Sequence, residues 1–481
     1  MLNKLSFRLN YSEIEKRLDP IFYYKNSNLD IVNKTSLPVY KLKEVINMQR
    51  GRFGHRPRND PSFYDGKYPF IQTGDVVRAK FGSDISYSQT LNDKGLKTSR
   101  LFSEPVVVLT IAANIGYTAI LNYPACFPDS LIGLTSKNDL LELEYINIYI
   151  SLIRQYIEDL APQAAQKNIN YQQLSSIPIV VPVKDVQRKI INVWNISQNL
   201  EKIKRECARE KLTSIDAYLL DKLGIHLSNK KEKIRDRIFK INFTNIIGRR
   251  LDPNAYKVDV QNLKKSIIES AFIKKPLKLL VSKGFGGNWG ADVASDFDNK
   301  KFVCCTVIRA TEFDNKGNLR FVNGKVKQRL IDKRIFEKSE LILNDLIVEK
   351  SGGSENQPVG RIAIIDRHAC KYSPLIHSNF VHKFTVVSNE ITPEYLFYYL
   401  NLMHKIKLTE SMQSQTNGIR NLIMSEYFSQ DIIVPPLNVQ EEIISHIKQI
   451  RDEAKNLEDE ANQVLEHAKQ EIEQMILGEV V

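Results

Sequence analysis

Arg17-Leu18-Asp19-Pro20, with Tyr23 after it, returns as Arg250-Leu251-Asp252-Pro253, with Tyr256 after it. Further on, Ile179-Val180-Val181-Pro182 ahead of Val186-Gln187 returns as Ile432-Ile433-Val434-Pro435 ahead of Val439-Gln440. Short matches that recur in a fixed order, at a period near half the chain, imply two copies of one module. A chain built this way is expected to read two similar targets.

The offset between partners tests the duplication. It is 233 residues at Arg17/Arg250 and Gly51/Gly284, 244 at Ile115/Val359, 250 at Tyr145/Tyr395 and Ile169/Ile419, 253 at Gln187/Gln440 and 254 at Leu223/Leu477. The offset only grows, as it does when a second copy gains residues in surface loops, where insertion is cheap. Gln72-Thr73-Gly74-Asp75 has a weaker counterpart near Arg309 and Thr311.

Each copy runs in the same order: an opening segment, a mixed region rich in glycine and aromatics, a helix, a short apolar strand ending in proline, and a long charged helix. The first helix is expected from about Glu142 to Leu160, with Tyr145, Ile148, Tyr149, Leu152 and Ile153 on one face; its partner runs from Pro393 to about Lys407 with Tyr395, Tyr398, Tyr399 and Leu402. Core packing is the expected task of these tyrosines. Strands are expected at Pro105–Ile111, Tyr117–Leu121, Leu341 to Val348 and Arg361–Ile365, separated by turn formers such as Asn114, Gly116, Gly352 and Gly353.

The long helices carry coiled-coil spacing. Val193, Ile196, Leu200, Ile203 and Cys207 form the expected seam of the first, and Ile447, Ile450, Ala454, Leu457, Ala461, Val464 and Ala468 that of the second. Both end at Leu-Gly, Leu223-Gly224 and Leu477-Gly478, a C-terminal cap. About 38 residues at 1.5 Å each give a helix of roughly 57 Å. The economical arrangement packs the two on each other; the alternative docks each helix on a separate partner protein, and both hold if only one stripe is used internally. The expected fold class is therefore α+β: two similar globular domains, separated and joined by two long helices in an antiparallel coiled coil with pseudo-twofold repetition. The expected boundaries are 1–185 for the first domain, 186–226 for the central helix, 227–438 for the second domain and 439–481 for the distal helix.

Composition narrows the class. The 481 residues are 42% hydrophobic and 26% charged, as in a soluble globular protein. No apolar run approaches the roughly 18 residues that suggest a membrane span, and Met1-Leu2-Asn3-Lys4-Leu5-Ser6 lacks a signal-peptide core, so a cytoplasmic location is expected. Cys126, Cys207, Cys304, Cys305 and Cys370 show neither metal-ligand nor disulfide spacing. The net charge of +12 suits a polyanionic partner, although a lysine-rich composition alone makes many proteins basic.

With these elements in order, the chain resembles the specificity (S) subunit of type I DNA restriction–modification systems, the HsdS family, over almost its whole length. The residues that carry the resemblance are Gln166-Lys167-Asn168-Ile169, Ile177-Pro178-Ile179-Val180-Val181-Pro182 and the helix-opening Gln187; copy two departs from them with Thr416-Asn417-Gly418-Ile419-Arg420 and Ile432-Ile433-Val434-Pro435-Pro436 before Gln440. The resemblance implies a non-catalytic DNA-recognition subunit. It implies two target-recognition domains, each reading half of a split site on double-stranded DNA, and helices that set the spacing and dock two methyltransferase subunits. A restriction/translocase subunit joins for cleavage. S-adenosylmethionine, ATP and Mg would belong to those partners, leaving no cofactor in this chain.

The residues themselves offer no catalytic motif. Asp252-Pro253-Asn254-Ala255-Tyr256 lacks the second proline of an amino-methyltransferase loop, and Gly324-Lys325 lacks both the upstream glycine and the Ser/Thr of a phosphate loop. Pro128-Asp129 is not followed by a suitable Glu-x-Lys on a neighbouring strand, and His377 and His382 have no ligand partners at metal spacing.

Candidate DNA contacts fall in two matched glycine-rich loops. Arg50, Arg52, His55, Arg56 and Arg58 crowd the first, and arginine either reads guanine or clamps phosphate; Lys283, Asn288 and Trp289 occupy the second. Gln72, Thr73, Arg78 and Lys80, the run Gln166, Lys167 and Asn168, and in copy two Arg309, Asn417 and Arg420 are further polar readers or phosphate anchors. A solvated basic loop and turn-capping amides are the plain alternatives. Lys230, Lys231, Lys233, Arg235 and Arg237 read as a solvated linker, with phosphate contact as the second reading. The rival function is a coiled-coil scaffold whose two domains bind proteins.

Overall fold

The computed structural model describes residues 29–55, 58–79, 85–161, 168–227, 240–242, 252–293, 297–314, 317–322, 326–354, 357–416 and 418–479. The chain divides into two compact units, Met1–Ala208 with Asn456–Val481, and Arg209–Lys455. The repeat at Arg17 and the basic run at Lys230–Arg237 lie outside the described residues.

In the first unit the strands are β1 (Val39–Lys41), β2 (Ile46–Arg50), β3 (Tyr64–Phe70), β4 (Gln89–Leu91), β5 (Leu101–Phe102), β6 (Val106–Thr110), β7 (Thr118–Leu121), β8 (Ala125–Cys126), β9 (Leu131–Ser136) and β10 (Pro178–Val180). They form sheets in the order β2-β9-β6-β7 and β4-β3-β8-β5, with a β1-β10 pair. The second unit has β11 (Ile273–Pro276), β12 (Phe285–Gly286), β13 (Phe302–Ile308), β14 (Lys327–Asp332), β15 (Leu346–Glu349), β16 (Ser351–Gly353), β17 (Ile362–Ile364), β18 (Leu375–His377), β19 (Val381–Phe384), β20 (Gln413–Thr416), β21 (Ile419–Leu422) and β22 (Asp431–Val434). Its sheets, β12-β19-β15-β17, β14-β13-β18 and β11-β22, follow the first unit's order, without a named strand in the place of β5 among the described residues, and β16-β21-β20 is added.

Alternation places the core. Along β6, Val107 and Leu109 face the helix tyrosines, while Val106 and Val108 face Ile71 and Phe127 on the other side. Along β15, Leu346 and Val348 join the helix tyrosines and Ile347 joins Ile308. Both central strands are thus buried on two faces, which is why they read as continuous apolar runs. The expected strand from Leu341 begins only at Leu346, because Asn344 is left-handed (φ 71) and the Asp345 carboxylate accepts from the Ile342 N–H at 2.8 Å, closing a turn.

The tyrosines are structural ties. Tyr145 donates its hydroxyl to the Val180 carbonyl at 2.7 Å and Tyr149 to Pro178 at 3.1 Å; Tyr395 and Tyr399 donate to Ile433 at 2.8 Å and Asp431 at 2.9 Å. Their helices are Leu143–Leu152 and Pro393–Lys405. The first stops short of Leu160 and restarts as Arg154–Leu160, where Ser151 bonds back to the Asn147 carbonyl at 2.7 Å, a bond that bends helices.

The long helices are Lys184–Lys222 and Leu437–Leu477. Each opens on a fully buried glutamine with the same three bonds. Gln187 donates to Leu140 and Pro182 carbonyls and accepts from the Glu142 N–H; Gln440 donates to Glu390 and Pro435 and accepts from the Thr392 N–H. Each ends in a left-handed glycine, Gly224 (φ 65) and Gly478 (φ 81), with the paired bonds of a Schellman cap. The helices pack antiparallel within each unit, as Lys204–Glu460 in the first and Lys211–Glu453 and Lys222–Glu442 in the second, all at 2.6 Å.

The seam of the second helix is as expected: Ile447, Ile450, Ala454, Ala461 and Ala468 are buried, and Leu457 and Val464 half-buried. That of the first is not. Ile196, Leu200 and Ile203 are 58%, 40% and 50% exposed, while Ile190, Trp194, Ala208, Ile215 and Leu219 are buried, with Ser197, Glu201 and Lys204 between them. The contact face lies one residue later, a turn of about 100°. The cause is the anchor: Ile190 and Trp194 enter the first unit's core beside Ile472 and Ile476, and that fixes the helix's rotation.

Candidate nucleic-acid interface

In the first unit β2 runs into the arginine loop, and Gly51 is required there. A Cβ would overlap the Phe127 and Pro128 carbonyls. Arg50 donates to the Asp129 carbonyl at 2.5 Å, and Arg58 forms an ion pair with the Asp129 carboxylate. His55 stacks on Phe63 at 3.9 Å and meets Asp60 at 3.2 Å. Arg52 projects with an exposed side chain that has no ion-pair partner among the described residues. Arg56 lies outside the described residues, as do Lys80, Gln166 and Lys167.

Beside this loop the chain leaves β3 and enters a short helix, Thr73–Arg78. The buried Asp75 carboxylate accepts from the Gln72 N–H at 2.7 Å and pairs with Arg78; Thr73 meets Ser130 at 3.3 Å. The Gln72 amide donates to Gln89 Oε1 at 3.0 Å. Gln72, Gln89, Arg58 and Arg78 line one shallow cleft of about 520 Å³ floored by Phe53 and Phe70. Asn168 is exposed, bridging to Ala112 on the same unit.

In the second unit the matching loop is drawn onto the sheet. Gly287 sits where a Cβ would overlap the His377 and Ser378 carbonyls. The His377 Nε2–H donates to the Phe285 carbonyl at 3.1 Å, and that of His382 to Lys283 at 3.3 Å. Burial pushes the His377 pKa down to about 4, so the ring is neutral and serves as a donor. Asn288 spends its side-chain oxygen on the Gly290 N–H at 2.7 Å, and Trp289 carries the Arg329 guanidinium 4.8 Å from its ring centre. Lys283 and Trp289 remain exposed. Arg309 turns inward, donating to Glu312 Oε1 at 2.5 Å. Arg420, on β21, is half-buried and lines a cleft of about 640 Å³ with Asp252, Lys257 and Lys407; Asn417 lies outside the described residues.

The two units align here residue by residue. Glu312 accepts from the Arg309 N–H at 2.7 Å, as Asp75 does from Gln72, which brings out the weak repeat at these positions. Phe70 pairs with Gln89 across β3 and β4, and Val307 with Lys327 across β13 and β14. Gln89 and Lys327 therefore occupy equivalent positions, and both are exposed. Neither stands out in the sequence, because only the strand register brings each beside its partner loop.

The carboxylate of Asp129 is engaged by Arg58, and the five cysteines are free thiols. Among the described residues no group of three or more His, Cys, Asp or Glu converges as a metal site requires, and no helix is long and apolar enough to cross a membrane.

A family model described as the type I restriction modification DNA specificity domain matches residues 37–206 and 297–467. A Methanocaldococcus jannaschii protein named as the MjaX specificity subunit of a type I restriction enzyme is 26% identical over 138 residues, which cover 29% of this chain and 31% of that relative. The chain thus matches about a third of that relative's length. Among solved structures, a chain from a study of complex assembly and conformational transition of the type I R-M system superposes with a TM-score of 0.52 at 11% identity, covering 92% of this chain and 97% of that one. The S subunit of a type I system from M. genitalium gives 0.39 at 11% identity, covering 92% and 96%.

Proposed function

This chain belongs to the type I restriction modification DNA specificity domain family, and from that premise we propose that it is the DNA-recognition subunit of a type I restriction–modification complex. Each module reads one half of a bipartite site on double-stranded DNA. The two halves bind as linked events, so the second gains from a high effective concentration. The domains of the proposal are 1–185 and 227–438, with 186–226 and 439–481 as the spacing helices. The complex works in the cytoplasm. Methylation and cleavage belong to the partners, two methyltransferase subunits and a restriction/translocase subunit, which supply S-adenosylmethionine, ATP and Mg.

The observation that carries this reading is the pairing of a repeated frame with unlike outward residues at equivalent positions, Gln89 against Lys327 and the arginine loop against Lys283–Trp289. A frame of this kind holds a reader in one place and leaves its chemistry free to differ. The exposed stripe of Ile196, Leu200 and Ile203 supports docking of a methyltransferase subunit, since an apolar row on a charged helix suits a partner helix.

Deleting one heptad from both long helices tests the spacing role. It removes about 10 Å of helix, close to three base-pair steps. Both half-sequences should persist while the spacer shortens by about that many base pairs; an unchanged spacer would refute the spacing role. A protein-binding scaffold instead predicts no steep loss of duplex affinity with salt.

A further inference from the structure

We propose that Gln89 and Lys327 are the equivalent base-reading residues of the two modules, Gln89 for adenine and Lys327 for guanine. This rests on the DNA-recognition reading above and adds to it the identity of two readers and of the bases they take.

Both residues lie on edge strands, β4 and β14, and both are exposed. Each sits across from the strand residue two positions before the capping residue, Gln72 or Arg309, whose N–H is held by a buried carboxylate. The strand that each reader pairs with is therefore fixed in both modules, as the support of a base contact must be.

The chemistry at that position differs. In the first module the capping side chain is an amide, and its Nε2 donates to Gln89 Oε1 at 3.0 Å. That bond orients the Gln89 amide and consumes one lone pair of its oxygen. The amide NH2 and the other lone pair stay open, and Gln72 is the only side-chain partner of Gln89 among the described residues. A donor and an acceptor side by side match adenine, whose N7 accepts and whose N6 donates in the major groove. Gln72 acts here as a positioning residue.

In the second module the capping side chain is a guanidinium turned back onto Glu312. It is taken out of play, and the outward position is filled by Lys327, whose ammonium has no partner among the described residues. An ammonium donates only, and guanine presents two major-groove acceptors, N7 and O6. Adenine would set its N6 donor against the ammonium.

The complex assembled with its methyltransferase subunits tests this by mapping of modified sites for the wild type, Gln89→Lys, Lys327→Gln and Gln72→Ala. The wild type should carry an A·T pair at one position of one half and a G·C pair at the corresponding position of the other. Gln89→Lys should move the first towards guanine and leave the other half alone, and Lys327→Gln should do the converse. Each should change base preference by about tenfold to a hundredfold. Gln72→Ala should broaden the same position that Gln89→Lys moves, a result that a merely structural glutamine would not give. If the wild type maps to a bipartite site and both reader variants leave every position unchanged, or change the wrong half, this inference is overturned and the DNA-recognition reading stands. A wild type with no sequence preference would remove that reading itself. Loss of all modification by an assembled, fully folded variant also counts against the inference, since one base contact should shift preference and not abolish binding.

Discussion

Gln187 and Gln440 make the same three bonds in the two modules, while Gln89 and Lys327, equally matched in position, differ in chemistry, an amide that donates and accepts against an ammonium that only donates. The contrast separates two kinds of residue. A buried amide must satisfy each of its polar atoms or destabilise the fold, so its identity is fixed wherever the frame repeats. A side chain on an exposed edge strand carries no such obligation. Duplication has therefore kept the inward face and released the outward one.

The largest test of that contrast is Gln187→Ala against Gln440→Ala. Each strands two carbonyls and an N–H in a buried site, at a cost of about 3 kcal/mol. Denaturant unfolding should show nearly equal losses, and a loss confined to one module would break the comparison. The next is specific to the second module. His377 has a folded pKa of about 4, below its ordinary 6.5, so the unfolded chain takes up the proton first. Stability is full above pH 6.5 and falls as the pH drops towards 4, by about 2 kcal/mol at pH 5. Melting at pH 5 and 7 should show this loss, and His377→Gln should reduce the pH dependence by that amount, leaving the share of His382 and His404, which burial also holds below the usual imidazole value. The smallest is Arg52→Ala. It should leave stability within about 0.5 kcal/mol, yet lower the salt dependence of duplex binding by about one phosphate contact. An unchanged salt slope would sharpen the comparison against Arg52 and in favour of the residues of the cleft.

What the sequence makes legible is the inward face. The tyrosines at helical spacing, the glutamine after each Pro-x-x-x-Val, and the Leu-Gly ends of the long helices all have local causes and all recur in the structure. The contact face of the first helix lies one residue away from its heptad seam because its rotation is set by Trp194 entering a distant core beside Ile472, a fact absent from the heptad pattern. The break after Leu152 and the turn at Asn344 are likewise set by single side-chain bonds. The site is harder still. Arg50 and Arg58 find Asp129 at separations of 79 and 71 residues, and Gln72 finds Gln89 only through the β3–β4 register. Loop composition singles out cations and could not say which of them are already engaged, as Arg58 is by Asp129 and Arg309 by Glu312.

The central claim is that one repeated frame carries two independent readers. Mapping modified bases on DNA from cells that express this chain with the proposed methyltransferase partners tests it most directly. The account predicts one bipartite sequence with unlike halves and a fixed spacer. A continuous site, two identical halves, or modification without sequence preference would contradict it.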